Sequence, residues 1–211
     1  MRRGFNQTIE PSVPEPSHFF PLTANATDVT GDWGTLSGSC AGFNADGAFF
    51  NGSVAGFQQS LQVPNSEFAV VDFEYMFPVF YASGVYRGVR MLFENAGAIN
   101  VFYAPDWGQD LNCSIYSASS TYTALSLAEV PFTVNKHYRI TIRQNLSQNT
   151  SDLFINGEHR NHGTICIPSN RRLRYLCIGR IENSSTGRFK GYIRNLRTYN
   201  VELTDEQIAA I

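Results

Sequence analysis

Apolar and polar residues alternate with a period of two along much of this chain, the pattern of strands with one face buried. From Phe68 to Phe77, Val71, Phe73, Tyr75 and Phe77 fall on one side. Further on, Tyr138, Ile140 and Ile142 alternate with Arg139, Thr141 and Arg143. Residues 85–93 and 98–103 read as a hairpin pair around Glu94-Asn95-Ala96-Gly97. Leu153-Phe154-Ile155 runs into Asn156-Gly157, two residues that tolerate positive φ and close a tight hairpin. Strands are also expected over residues 175–180 and through Phe189–Tyr199. At the C-terminus the pattern changes: Thr204 can cap a first helical turn while Gln207 reaches back to it, a capping box. These elements predict an all-β antiparallel domain ending in a short helical turn.

Composition fits that reading and bounds its setting. A chain of 211 residues, 43% apolar, can bury the core of one large β domain. Residues 1–17, with Pro11, Pro14 and Pro16, read as a flexible N-terminal linker, and 18–211 as the domain. No apolar run approaches the roughly 20 residues that cross a bilayer, so direct membrane insertion is not expected. The N-terminus lacks the apolar stretch of a signal peptide. Asn6, Asn25, Asn51, Asn112, Asn145, Asn149 and Asn183 nevertheless each open an Asn-x-Ser/Thr triplet. About three would arise by chance. The excess points to N-glycosylation and an extracellular or cell-surface location, with any signal upstream of this chain; accidental sequons in Asn-rich loops are the other reading.

Four cysteines suit two disulfides in that compartment. Three pairings are possible; Cys166 with Cys177 closes a loop over Pro168–Arg174 and leaves Cys40 for Cys113. Buried free thiols are the alternative. No Cys-x-x-Cys occurs, which argues against a zinc or redox site.

Several segments, in their order, resemble a known family. Residues 19–31, Phe-Phe-Pro-Leu-Thr-Ala-Asn-Ala-Thr-Asp-Val-Thr-Gly, look like an opening strand and loop, and 43–52 like the turn and Phe-bearing strand that follow. The last third, ending in Gly191-Tyr192-Ile193-Arg194, Tyr199-Asn200 and Leu203-Thr204-x-Glu206-Gln207-Ile208, is similar to the closing segment of laminin G-like and pentraxin-like domains of the concanavalin A-like lectin/glucanase superfamily. The resemblance implies an antiparallel jelly-roll β-sandwich with its first and last strands side by side, and a binding architecture more often than an enzyme. It also implies a calcium question. Many relatives bridge those strands with calcium held by an opening and a closing Asp. Asp28 matches the first position, but Arg194 stands at the second. A guanidinium cannot ligate calcium and could pair with Asp28 instead.

Candidate chemistry is sparse. Superfamily glucanases carry alternating Glu, Asp and Glu on one strand; here Asp72 and Glu74 form a pair, Met76 stands where the third would be, and a solvated polar strand face is the stronger reading. Nucleophile-elbow, zinc-protease and phosphate-loop motifs are absent. His159 and His162 read as exposed hairpin residues rather than a metal pair. Both tryptophans sit in Asp-Trp-Gly, at Asp32-Trp33-Gly34 and Asp106-Trp107-Gly108. The second copy, Asp106-Trp107-Gly108-Gln109-Asp110, combines a ring that can stack on a sugar with carboxylates that accept hydroxyl protons. A Trp plugging the sandwich end is the competing reading, and the stronger one for Trp33.

Net charge is −2, yet residues 136–197 hold twelve Lys or Arg against three acids, while 1–135 hold four against twelve. Arg139, Arg143, Arg171, Arg172 and Arg174 in that basic segment suit an anionic glycan or an acidic protein surface, or else complement the acidic half internally. Nucleic acid is not expected, since basic–aromatic repeats are missing. The sequence thus predicts a non-catalytic extracellular module that binds a glycan or protein ligand. An assembly domain of a matrix or viral surface protein, oligomeric in that case, and a glucanase-like hydrolase are the alternatives.

Overall fold

The computed structural model describes residues 11–31, 33–79, 86–104, 110–118, 121–126, 133–180 and 188–211. In chain order the strands begin with β1 (His18–Phe20), β2 (Ser37–Ser39), β3 (Gly42–Asn44), β4 (Gly47–Asn51) and β5 (Gly56–Gln59). They continue with β6 (Val70–Met76), β7 (Tyr86–Phe93), β8 (Ala98–Ala104), β9 (Asp110–Ala118) and β10 (Thr121–Ser126). The last five are β11 (His137–Asn145), β12 (Thr150–Ile155), β13 (Glu158–Gly163), β14 (Leu173–Ile178) and β15 (Lys190–Tyr199), followed by the helix α1 (Asp205–Ala210).

The strands pair antiparallel into two sheets. Sheet I runs β13-β12-β11-β6-β15-β4-β3, with β1 also on β15. Sheet II runs β10-β9-β8-β7-β14-β5-β2. The result is the jelly-roll sandwich that the alternation and the resemblance predict. His18, Phe19 and Phe20 pair with Thr198, Arg197 and Leu196, so the first and last strands lie side by side as expected. Asn156 and Gly157 both take positive φ, 51° and 81°, closing the β12–β13 hairpin. The capping box forms too: Gln207 N donates to Thr204 Oγ1 and Thr204 N donates to Gln207 Oε1.

The inward-facing alternate residues make one core. Phe20, Phe50, Phe73, Tyr75 and Ile193 from sheet I meet Val89, Met91, Phe93, Val101 and Ile178 from sheet II, all essentially excluded from water. Tyr75 spans the layers, donating its hydroxyl to Val101 O at 3.2 Å. Its ring needs the bare backbone of Gly88, where a Cβ would sit 1.6 Å from the hydroxyl oxygen. A smaller apolar cluster covers the outer side of sheet I, where Leu203 and Ile208 of the C-terminal segment close over Val70, Phe154 and Tyr199. The proline-rich lead-in is bonded to this region: Ser12 O accepts from Gln207 Nε2 and Ser17 N donates to Thr198 O.

The expected disulfides are not formed. None of Cys40, Cys113, Cys166 and Cys177 is in a disulfide. Strand order gives the reason for the first pair. Cys40 follows β2 at one edge of sheet II, and four strands separate β2 from β9, which carries Cys113. Five strand spacings put the two about 24 Å apart, beyond the reach of any disulfide. Cys40 Sγ bonds to Gly42 O instead, Cys166 Sγ to Asn149 Oδ1, and burial pushes the Cys113 thiol up to about 12. Among the described residues no helix is long and apolar enough to cross a membrane.

Candidate functional site

The outward faces of the two sheets differ in how their polar groups are used. On sheet I the charges neutralise one another. Asp72, wholly buried, accepts from Thr141 Oγ1 at 2.6 Å and Arg197 Nη1 at 3.0 Å, with Arg139 Nε at 3.6 Å. Burial pushes its carboxyl up, against the pull of that hydroxyl and the two guanidiniums. Glu74 accepts from Arg194 Nε and from Asn195 Nδ2, at 2.9 and 2.6 Å. Arg143 donates twice to Asp152 Oδ2, then to Leu203 O and Asp205 Oδ1, which fastens the start of α1 to the sheet. Arg139 Nη2 donates to Ile208 O near the other end of that helix.

Two expectations are corrected here. Arg139 and Arg143 are not an open basic face; they complement acids and helix carbonyls of the same chain. Arg194 pairs with Glu74, not with Asp28. Nor is the Asp28 carboxylate open to an ion. One oxygen accepts from Phe19 N, Thr30 N and Gly31 N, and the other bonds His18 Nδ1 at 2.7 Å. A calcium there would have to displace these donors, so the residues do not fit the ion. No group of three or more metal-ligating side chains occurs among the described residues. His159 Nε2 and His162 Nδ1 both bond the same oxygen of Asp152, at 3.1 and 2.8 Å.

These networks predict acid sensitivity. Burial works to raise the carboxyls of Asp28, Glu74 and Asp152, but their donors outweigh it and hold all three below the ordinary values. A depressed folded pKa contributes stability above the unfolded pKa of about 4, and that stability is lost as pH falls through the folded value. Thermal unfolding followed by circular dichroism is expected to show a plateau near neutral pH and a falling Tm below about pH 4. A Tm flat from pH 6 to 2.5 would contradict the assignment.

The loop candidates divide. Trp33 is a packing residue: it stacks on His18 at 3.5 Å and packs on Phe68 at 5.4 Å. Asp32, Asp106, Trp107, Gly108 and Gln109 lie outside the described residues, and Asp110 opens β9 opposite Ala104. Arg171, Arg172 and Arg174 stay at the solvent-facing start of β14, with no ion pair among the described residues. Of the sequon asparagines, Asn25, Asn51 and Asn149 are exposed. Asn145 donates its amide to Glu202, Asn112 lies within β9, and Asn6 and Asn183 lie outside the described residues.

Sheet II presents a different outer surface. Its register aligns Ser37, Gln58, Cys177, Arg90, Asn100 and Ser114 across six neighbouring strands, with Cys177, Asn100 and Ser114 buried and Ser37, Gln58 and Arg90 at least partly accessible. Asn100 Nδ2 lies 3.4 Å from Ser114 Oγ, while Gln58 Oε1 and Arg90 Nε are buried without a hydrogen-bond partner. Leaving such groups unmet is costly unless something else meets them. Tyr116 and Tyr175 lie in the next register row to one side and Arg87 to the other. Burial pulls the Arg87 guanidinium down from its ordinary value, and the Arg90 charge adds to this. Towards β2 the surface dips into a depression of about 580 Å³ whose walls include Ser37, Gln58, Tyr175 and Arg180. Sequence reasoning missed this face, because its members come from six separate strands.

With this architecture in view, likeness to known proteins becomes informative. Residues 56–209, most of the chain, match the family model for the concanavalin A-like lectin/glucanases superfamily. The chain belongs to that superfamily. No protein of curated function matches it in sequence. Among solved members of similar fold is domain 4 of AbnA, an extracellular arabinanase from Geobacillus stearothermophilus, in complex with arabinotriose. It has a TM-score of 0.67 and 16% identity, over 94% of this chain and 98% of that one. The binding domain of botulinum neurotoxin serotype D has a TM-score of 0.70 and 18% identity, over 92% of this chain and 50% of that one. The CBM40 module of the Ruminococcus gnavus IT-sialidase, bound to α2,3-sialyllactose, has a TM-score of 0.55 and 13% identity, over 74% and 91%. At these identities the likeness shows the sandwich fold and nothing finer.

Proposed function

We propose that this chain is a non-catalytic recognition module that binds a glycan across the outer face of sheet II, within a larger secreted or surface protein. The contrast between the faces carries the reading. Sheet I pairs its guanidiniums with carboxylates of the same chain, whereas Arg87 and Arg90 of sheet II make no ion pair among the described residues. Buried polar atoms without a hydrogen bond occur in both sheets, Gln58 Oε1 and Arg90 Nε in sheet II and His137 Nδ1, Arg139 Nε and Thr198 Oγ1 in sheet I. Amides and guanidinium offer donors and acceptors for sugar hydroxyls, and the rings offer stacking surface for sugar C–H faces. The arabinotriose and sialyllactose held by two modules of the same fold support this choice of ligand. The Asp106–Asp110 segment and the Arg171/Arg172/Arg174 cluster are the other candidates that the sequence offers. The hydrolase reading loses ground because Asp72 is inaccessible and Glu74 is held by Arg194 and Asn195.

A glycan array read at low and high salt tests it. The wild-type chain is expected to retain a defined glycan class, more weakly at high salt if the ligand is anionic. Arg90→Ala and Tyr175→Ala should each weaken binding by about tenfold with Tm unchanged, as loss of one charged hydrogen bond or one stacking ring would. Trp107→Ala reports on the β8–β9 segment. Binding that survives in every variant, or no binding to any glycan, would overturn the proposal. So would polysaccharide hydrolysis abolished by Glu74→Gln.

A further inference from the structure

A second polar depression, of about 480 Å³, opens at the end of sheet II where the β7–β8 turn meets the segments before β14 and after β5. Gln62, Glu94, Asn95 and Arg174 line it. None of the four side chains makes a hydrogen bond or ion pair with a described residue. Glu94 and Arg174 share the cavity without forming a salt bridge, so a carboxylate and a guanidinium both face it unspent. Two amides, each able to donate and accept, stand with them.

The backbone beneath these side chains is fixed. Glu94 N donates to Arg172 O and Gln62 N to Leu173 O, both at 2.9 Å, and Gly97 N closes the turn onto Glu94 O. Gln62, Asn95 and Ala96 take positive φ, at 56°, 54° and 61°. Asn tolerates that region; Gln and Ala adopt it at a cost, and such residues persist where the surroundings hold them. The backbone is thus set before any ligand arrives, while the exposed side chains of Gln62, Asn95 and Arg174 are ordered by the binding itself.

We infer that this depression is a separate sugar subsite, selective for a neutral sugar ring. The inference rests on the glycan-binding reading of the module. A vicinal diol can give its two protons to the Glu94 carboxylate while its oxygens accept from Arg174 and the amides, which meets all four groups at once. A bare anion would gain Arg174 but meet the like charge of Glu94. Arg174 and Tyr175 are neighbours on β14, with the guanidinium 5.5 Å from the ring centroid. Arg174 lines this cavity and Tyr175 the depression on the sheet face. One oligosaccharide crossing that pair would fill both, so the module reads chains of at least two residues.

The test is an NMR titration of the ¹⁵N-labelled chain with galactose, lactose, N-acetyllactosamine, maltotriose, arabinotriose and α2,3-sialyllactose. Amide shifts at Gln62, Glu94, Asn95 and Arg174 with at least one neutral saccharide are expected, and Glu94→Gln should weaken that binding by about tenfold. Arg174→Ala should shorten recognition, leaving oligosaccharides no tighter than their monosaccharides. Shifts confined to Gln58, Arg90 and Tyr175 for every saccharide would overturn the subsite and leave the sheet-face reading intact. An absence of shifts anywhere would overturn both.

Discussion

Replacing Asp72 with alanine is expected to lower stability by about 3–5 kcal/mol, because it strands two buried or half-buried guanidiniums. Arg197 Nη1 loses its acceptor at 3.0 Å, Arg139 Nε loses the carboxylate at 3.6 Å, and Thr141 loses a 2.6 Å hydrogen bond. Arg139 also holds Ile208 O, so the C-terminal helix loosens as well. For a domain of this size the loss corresponds to a fall in Tm of about 10 °C. Asp72→Asn keeps a partner for Thr141 but not the charge, and should fall between. The double variant Asp72→Leu/Arg197→Met separates ion-pair loss from cavity formation: with no uncompensated charge at Arg197, it should recover part of the deficit. A Tm within 2 °C of wild type for Asp72→Ala would refute the account.

That carboxylate also shows where sequence reading stops. Alternation placed Asp72 and Glu74 together on one strand face, correctly, and left the choice between a catalytic pair and a solvated polar face. Neither describes Asp72, which is buried and ion-paired. The reason is register: Thr141 and Arg197 come into line with Asp72 only when β11 and β15 flank β6, pairings across 69 and 125 residues. Arg139 and Arg143 share that history. Their spacing revealed that they face one way, but not that the segment from Leu203 onward folds back over them. Local signals fared better, because each is complete within a few residues. The Asn156-Gly157 hairpin, the Thr204–Gln207 capping box and the shared core face of Val71, Phe73, Tyr75 and Phe77 all appear as expected, on a strand that spans Val70–Met76.

The outer face of sheet II was the least legible part. Gln58, Arg90, Asn100, Ser114 and Cys177 carry no motif, and each reads alone as an ordinary strand residue. Their meaning lies in transverse alignment across strands far apart in sequence. Cysteine arithmetic failed for a related reason. An even count suggests pairing, but antiparallel order put β2 and β9 far apart in the same sheet.

Phe189→Ala is expected to be about as damaging as loss of the buried carboxylate, at about 3–5 kcal/mol. The ring is fully enclosed. It stacks on Tyr75 at 5.1 Å and meets Phe50 and Phe77 edge-on at 6.0 and 5.5 Å. Its backbone N donates to Gly179 O, just past the end of β14 in sheet II, while its ring lies among residues of sheet I. One residue therefore joins both layers, and truncating it opens a cavity beneath Tyr75, the other side chain that spans them. The neighbours cannot collapse into the gap. Phe50 is already held against Gly179, where an added Cβ would meet its ring at 2.2 Å, and Tyr75 is fixed by its hydroxyl bond to Val101 O. Chemical denaturation should show a lower midpoint with an unchanged m-value, and Phe189→Leu should recover much of the loss by refilling the volume. If the alanine variant unfolds within about 1 kcal/mol of wild type, the aromatic cluster does not hold the sheets together.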